Sequence, residues 1–289
     1  MSDAPALSWI ILTMGDRPDE VTRAVESIRR QSVAAHEILV VGNGADPGVI
    51  EGARCVTLKD NVGISAGRNE GADLTSGDVL CFLDDDAECA SDVVANLTAD
   101  LLRDRHDIAA VSWRITDAET GETQRRHVPR LRAADPTRSG DVTTFLGGAC
   151  AIRRTDFAAA GGYPDEFFYA MEETDLAWRL LDAGRSIHYL SEAEVHHPAS
   201  VPARHGMAFE LTARNRVWLA HRRLPRALTV LYLAVWITLM LVRAPSMAAR
   251  RDTLRGLRRG VRQRTPRPID RMSWRTVATM TRLGRPPII

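Results

Sequence analysis

Short apolar runs at Leu7–Thr13, 37–41, 55–58, 79–83 and 108–113 alternate with helical patterns through the N-terminal part of this chain. Pro18 opens the first of those helices and places Val21, Ala24, Val25 and Ile28 on one face. Residues 64–72 and 91–105 read as further helices, the second with Ser91 as its N-cap. Strands and helices alternating at this spacing predict an α/β fold, a mostly parallel sheet with helices on both faces. Ligands of such sheets bind beyond the carboxyl ends of the strands. The turns after Thr13, Val41 and Leu83 are therefore expected to line one cleft.

The rest of the chain is less regular. Residues 116–141 are polar and Arg-rich and predict an irregular excursion. Order resumes at 143–153, followed by a short helix, a Gly161-Gly162 turn and an amphipathic helix over 174–183. Beyond His197 the pattern is helical. Residues 227–242 carry no charge, but fall short of the about 20 apolar residues that span a bilayer.

Composition excludes some classes. A formal charge of +1 over 289 residues gives no global field for a polyanion, so no nucleic-acid partner is expected. Arginines crowd the stretch from Arg243 to Arg285, where Asp252 and Asp270 are the only acids. Cys55, Cys81, Cys89 and Cys150 form no C-x-x-C pair and read as free thiols of a reducing compartment. The N-terminus has no basic signal-peptide region, and a cytoplasmic location is expected.

Four elements carry chemistry. Asp84, Asp85 and Asp86 follow a core strand without a break. Adjacent carboxylates repel, and a divalent cation such as Mn2+ or Mg2+, which prefers carboxylate and phosphate oxygens, offsets that repulsion. Alternation in an extended turn suits Asp84 and Asp86 to the same partner, whereas a solvated acidic loop would need none. The glycines of the Asn61–Asn69 stretch would let backbone N–H groups approach a phosphate, with Arg68 adding a forked cation. The aromatics at 167–169 precede Glu172, Glu173 and Asp175, a cluster able to hold a general base of raised pKa or to cap a helix. His196 and His197 then offer one further metal ligand.

The order of these elements resembles the family 2 glycosyltransferases of GT-A fold, notably their bacterial rhamnosyl- and galactofuranosyl-transferase-like members. Matching features are Arg17-Pro18, Val40-Val41-Gly42-Asn43-Gly44, the 61–69 stretch, the aspartate strand, Phe145-Leu146-Gly147-Gly148-Ala149, Gly161-Gly162-Tyr163 and the 172–179 stretch. The resemblance implies an inverting transfer of a hexosyl or deoxyhexosyl group from a nucleotide-diphosphate sugar to a glycan, lipid-linked or small-molecule acceptor. It implies donor binding by Thr13, Asp16, Asn43, Asp60, Arg68, Asp84 and Asp85. Metal binding would fall to Asp84, Asp86 and His197. The base would be Glu173, with Asp175 and Glu172 as the other catalytic candidates. Residues 1–205 would form the catalytic domain. Residues 206–289 would form a helical region lying against the cytosolic leaflet of the membrane, with Arg222, Arg223, Arg226 and Arg243 at headgroups, or packing on protein or on a second subunit of a homo-oligomer. Trp218, Arg214 and Arg216 would shape the acceptor entrance. Two other readings use the same residues: a nucleotidyltransferase, which releases pyrophosphate, and a non-catalytic subunit that binds a sugar nucleotide.

Overall fold

The computed structural model describes residues 4–129, 135–198, 206–263, 265 and 267–288. Its first elements are β1 (Leu7–Thr13), α1 (Pro18–Arg29), β2 (Glu37–Asn43), β3 (Arg54–Leu58), α2 (Gly63–Asp73), β4 (Val79–Asp84), β5 (Glu88–Cys89), α3 (Val94–Asp104) and β6 (Ile108–Thr116). They are followed by β7 (Gly140–Val142), β8 (Ala149–Arg153), α4 (Arg154–Ala160), α5 (Glu172–Asp182) and β9 (Ser186–His196). Four helices close the chain: α6 (Ala208–Arg223), α7 (Arg226–Val242), α8 (Met247–Arg262) and α9 (Trp274–Arg282).

The strands form one sheet in the order β3-β2-β1-β4-β8-β6-β9-β5, and β7 also pairs with β9. The expected parallel arrangement holds across β3, β2, β1 and β4, and again between β6 and β9. β8 lies antiparallel to both β4 and β6, which makes the sheet mixed. A loop excursion, not a crossover helix, joins β6 to β8, and that connection permits antiparallel neighbours. Part of this excursion (130–134) and the expected boundary at 205 lie outside the described residues.

Both faces of the sheet are covered, which is why its strands read as continuous apolar runs. Trp9, Ile11, Cys81 and Leu83 enter the core under α1 and α3, with Val21, Val25, Ile28 and Leu102. Ile10, Leu80 and Phe82 alternate to the other face, with Phe157 of α4, Leu176 and Leu180 of α5 and Trp218 of α6. Burying each such large side chain contributes about 1.5–3 kcal/mol. The four cysteines are free, with Cys81, Cys89 and Cys150 buried.

Ser91 is not the cap of α3. The helix begins at Val94 with no side-chain cap of its own, and Gln31 at the end of α1 accepts from Ala95 N–H at 3.0 Å instead. Gln31 Nε2 donates to Ser91 O at 2.8 Å, so a tertiary contact does what a local hydroxyl was expected to do.

The C-terminal helices use much of their arginine internally. Gly256 and Gly260 of α8 press on α6, where a Cβ at Gly256 would stand 2.0 Å from Glu210 O. Arg255 and Arg259 pair with Glu210 at 3.3 and 2.5 Å. Arg222 and Arg223, expected at headgroups, are buried against Glu166 and Asp175. By contrast α7 buries only Tyr232, and Val230 and Val242 are 71% and 70% exposed. No helix among the described residues is long and apolar enough to cross a membrane.

Candidate active site

β4 carries the acidic turn to the carboxyl edge of the sheet. Asp84 N–H donates to Gly148 O at 3.0 Å, and Ala87 N–H closes the turn on Asp84 O at 3.1 Å. The aspartates then diverge. Asp84 and Asp86 approach His197 at the end of β9, whose Nε2 lies 3.8 Å from Asp84 Oδ2 and 3.1 Å from Asp86 Oδ1. Asp85 accepts from Thr13 Oγ1 at 2.8 Å and from Arg17 Nη1 at 3.2 Å. One ligand atom from each of Asp84, Asp86 and His197 lies within 4.8 Å of the others. Two carboxylate oxygens and an imidazole nitrogen so grouped fit a divalent cation such as Mn2+. His196 lies instead 3.9 Å from Glu194 and is half-buried.

Protein cations also meet this negative charge. Arg17 Nη1 is 2.6 Å from Asp86 Oδ2, and the buried Arg68 Nη2 is 2.8 Å from Asp84 Oδ1. Burial alone would lower the His197 pKa. The hydrogen bond to Asp86 and the charges of Asp84 and Asp86 outweigh it and raise the value to about 9. Burial raises Asp85 to about 6 against the hydrogen bond from Thr13. His127 stands edge-on to the His197 ring at 6.2 Å between centroids, its own pKa pushed down to about 4 by burial and by Arg126.

The second acidic element opens α5, two residues earlier than its sequence pattern suggests. Glu172 is fully buried, while the Glu173 side chain keeps 26% of its surface open. Both carboxylates lie 4.0 Å from Arg68 Nη1. Burial pushes both pKa values upward, and Glu173's charge pushes Glu172 further. Glycines make room for this cluster. A Cβ at Gly147 would stand 2.6 Å from Glu173 Oε1, and one at Gly148 would stand 1.9 Å from Asp84 Oδ2.

Three expectations are corrected. Asp175 does not join the other acids: it is completely buried among Arg179 at 2.8 Å, Arg223 at 2.9 Å and Arg222 at 3.6 Å, which hold its pKa down against burial. A carboxylate so saturated anchors α5 to α6 and is a poor proton acceptor. Arg68 does not extend a fork into the cleft, because Asp84 and the glutamates hold it. The N-terminus of α2 is likewise occupied. Val62 N–H donates to Asn43 Oδ1 at 2.9 Å, Gly63 N–H to Asn61 Oδ1 at 2.9 Å and Ile64 N–H to Phe168 O at 2.7 Å. Asn43 thus orders the 61–63 turn. Asp16 and Asp60 are exposed on the turns after β1 and β3.

The segment before α5 is strained. Phe168, Ala170 and Met171 have φ of 61, 69 and 72°, left-handed values that cost of order 1–3 kcal/mol each in non-glycine residues. Asn215 of α6 holds them. Its Nδ2 donates to Phe167 O, Tyr169 O and Ala170 O at 2.9, 2.9 and 2.8 Å. Arg214 adds bonds to Glu166 O and Phe167 O at 2.9 and 3.0 Å and stacks on Trp218, so these two of the expected entrance residues are structural. Nothing local in the sequence marks Asn215 or Arg17 for these roles.

A mixed α/β sheet with an acidic turn at its carboxyl edge, a histidine facing it and a glutamate pair beside it has the architecture of the GT-A glycosyltransferases. The chain belongs to glycosyl transferase family 2, which it matches over residues 8–160. It is 23% identical over 236 residues to N-acetylgalactosaminyltransferase 7 of Drosophila melanogaster, a match covering 68% of this chain and 39% of that protein. Among solved structures it is similar to GalNAc-T7 with UDP, GalNAc and Mn2+ at a TM-score of 0.64 and 16% identity, over 91% of this chain and 57% of that one. It is also similar to residues 1–349 of TarS from S. aureus, at 0.61 and 13% identity, over 89% of this chain and 81% of that one. For the mannosyltransferase PcManGT from Pyrobaculum calidifontis, in complex with GDP-Man and Mn2+, the values are 0.57 and 16%, over 98% and 85%. At these identities the structural likeness is one of fold. The chain spans well under two thirds of the fly protein's length.

Proposed function

We propose that this protein transfers a sugar from a nucleoside-diphosphate sugar to an acceptor hydroxyl, with inversion. The observation that carries this reading is the convergence of Asp84, Asp86 and His197 within 4.8 Å, with Glu173 linked to Asp84 through Arg68. Asp84, Asp86 and His197 would hold Mn2+ or Mg2+, which when bound would supply positive charge for the departing diphosphate. The similar structures of GalNAc-T7 with UDP, GalNAc and Mn2+ and of PcManGT with GDP-Man and Mn2+ favour manganese and a nucleotide-sugar donor.

Glu173 is the general base. Its raised pKa makes it a stronger proton acceptor than an ordinary glutamate, and its open quarter of surface lets an acceptor reach it. As the acceptor proton passes to Glu173, the acceptor oxygen bonds to the anomeric carbon. The bond from that carbon to the diphosphate breaks, and its electron pair leaves with the nucleoside diphosphate. One displacement inverts the anomeric centre. Arg68 keeps Asp84 and Glu173 in fixed relation, Arg17 and Thr13 orient Asp85, and Glu172, its pKa pushed up by burial and by Glu173, lies beneath the site. The apolar face of α7 supports peripheral contact with a membrane leaflet, with no span required.

The test is product analysis with UDP-, dTDP- and GDP-sugars, including rhamnose and galactofuranose donors, plus Mn2+. Release of a nucleoside diphosphate, lost in Asp86→Ala, is expected. Release of pyrophosphate would assign a nucleotidyltransferase, and binding without turnover of any donor would assign a non-catalytic subunit.

Asn215 tests the positioning of the base. Asn215→Ala removes the donor that holds the strained 167–170 carbonyls, and a shift near 1 Å in a reacting group costs about 10²-fold. We expect kcat to fall by roughly that factor with the donor KM almost unchanged. Equal loss of binding and turnover would mark a purely structural role.

A further inference from the structure

A second cleft, of about 70 Å3, opens between the first turn of α5, α6, α7 and the residues after α9. Thr174, Arg216, Tyr232, Trp236 and Arg285 line it, and Thr174 directly follows Glu173 in the chain. The Arg216 guanidinium lies 3.5 Å over the Trp236 ring, and its Nη1 donates to Tyr232 Oη at 2.8 Å. Its Nε is buried and finds no acceptor among the described residues. The same holds for Trp236 Nε1. Arg285 stands near enough that, after burial, the charge of Arg216 is the main influence lowering its pKa.

The half-buried arginines of this cleft differ from four arginines of the active site and of the α5–α6 contact. Arg68, Arg179, Arg222 and Arg223 each have a carboxylate within 2.9 Å. No Asp or Glu lines the cleft, and neither Arg216 nor Arg285 has an ion pair among the described residues. Two like charges brought together with buried, unaccepted N–H groups are unfavourable unless an anion accompanies them. Guanidinium forks match the oxygens of a phosphate. The donor's diphosphate belongs with Asp84, Asp86 and His197, none of which lines this cleft.

We propose that Arg216, Arg285 and Trp236 form a subsite for a phosphoryl group carried by the acceptor, which orients the acceptor hydroxyl toward Glu173. The assignment to the acceptor rests on the glycosyltransferase reading; the anion site itself does not. The phosphate is borne either by a lipid or by a soluble glycan.

Calorimetry with methyl phosphate tests it, run with and without Mn2+ and UDP, dTDP or GDP. Methyl phosphate is expected to bind the wild type in both cases. Arg285→Gln, which breaks no hydrogen bond of the fold, weakens it at least about tenfold, and Arg285→Lys restores part of the loss. Trp236→Phe keeps an aromatic face under Arg216, though a smaller one, and deletes the indole N–H, costing about tenfold. Unchanged phosphate affinity in both Arg285→Gln and Trp236→Phe overturns the site. Displacement of methyl phosphate by Mn2+ with a nucleoside diphosphate overturns the assignment to the acceptor. Farnesyl phosphate binding much tighter than methyl phosphate places the group on a lipid, and equal binding places it on a soluble acceptor. Failure of every nucleotide to bind, with phosphate still bound, sinks the glycosyltransferase reading and leaves the cleft standing.

Discussion

Gly148→Ala is expected to abolish most transfer while leaving the fold in place. The added Cβ would stand 1.9 Å from Asp84 Oδ2 and 2.1 Å from Asp84 Cγ, distances no pair of non-bonded atoms tolerates. Gly148 is not among the residues with left-handed φ, so alanine brings no backbone strain of its own. The group that gives way is the far end of the Asp84 side chain. When it rotates out, the metal triad loses one member and Arg68 loses its 2.8 Å partner, though Glu172 and Glu173 remain within 4.0 Å of that guanidinium. Metal affinity should fall about 10–100-fold, as it does when ligand geometry is disturbed, and kcat/KM by at least about 10²-fold. Circular dichroism, melting temperature and Mn2+ titration on one preparation check this. Unaltered Mn2+ affinity with a lowered melting point would mean that Gly148 serves packing alone.

Glu173→Gln should lower kcat by about 10²–10⁴-fold with little change in donor affinity, the range expected when a general base is removed. Glutamine keeps the size of the side chain and its place against Gly147 and Arg68, but cannot accept the proton. Glu172→Gln should do far less, because Glu172 is buried out of reach of an acceptor and burial favours its neutral form. The pH profile gives an independent sign. Burial raises the Glu173 pKa above 4.5, and the base must be ionised to act. Activity should therefore fall with acidification sooner than it would for an ordinary glutamate, and rise as pH climbs through the raised value. Activity in Glu173→Gln equal to that of wild type would move the base elsewhere.

The local pattern of the chain was a good guide wherever chemistry and chain order coincide. β4 and its three aspartates are adjacent in sequence, and alternation alone separates Asp84 and Asp86 from Asp85. His197 needed the family resemblance, since only folding brings β9 to β4. Asp175 misled because an acid in the first turn of a helix looks alike whether it faces a cleft or three arginines, and two of those, Arg222 and Arg223, arrive from 47 and 48 positions away. Asn215 was invisible for the same reason: its acceptors lie 45–48 residues earlier. The Gly147-Gly148 pair was legible as a motif, but its physical cause, two carboxylates pressed against bare backbone, is a matter of packing.

The most direct test of the metal centre is Mn2+ binding as a function of pH. With a pKa of about 9, His197 is an imidazolium at neutral pH, its Nδ1–H on Pro198 O at 2.7 Å and its Nε2–H on Asp86, so a metal must expel that proton. Affinity should rise about tenfold per pH unit between roughly pH 7 and 8.5, with close to one proton released per ion. Metal-free stability runs the other way: the His197 contribution is full below its ordinary 6.5 and is lost as pH rises through about 9. His197→Ala should bind Mn2+ weakly and lose the pH slope. Tight binding in that variant, or a wild-type affinity flat from pH 7 to 8.5, would contradict a centre built from Asp84, Asp86 and His197.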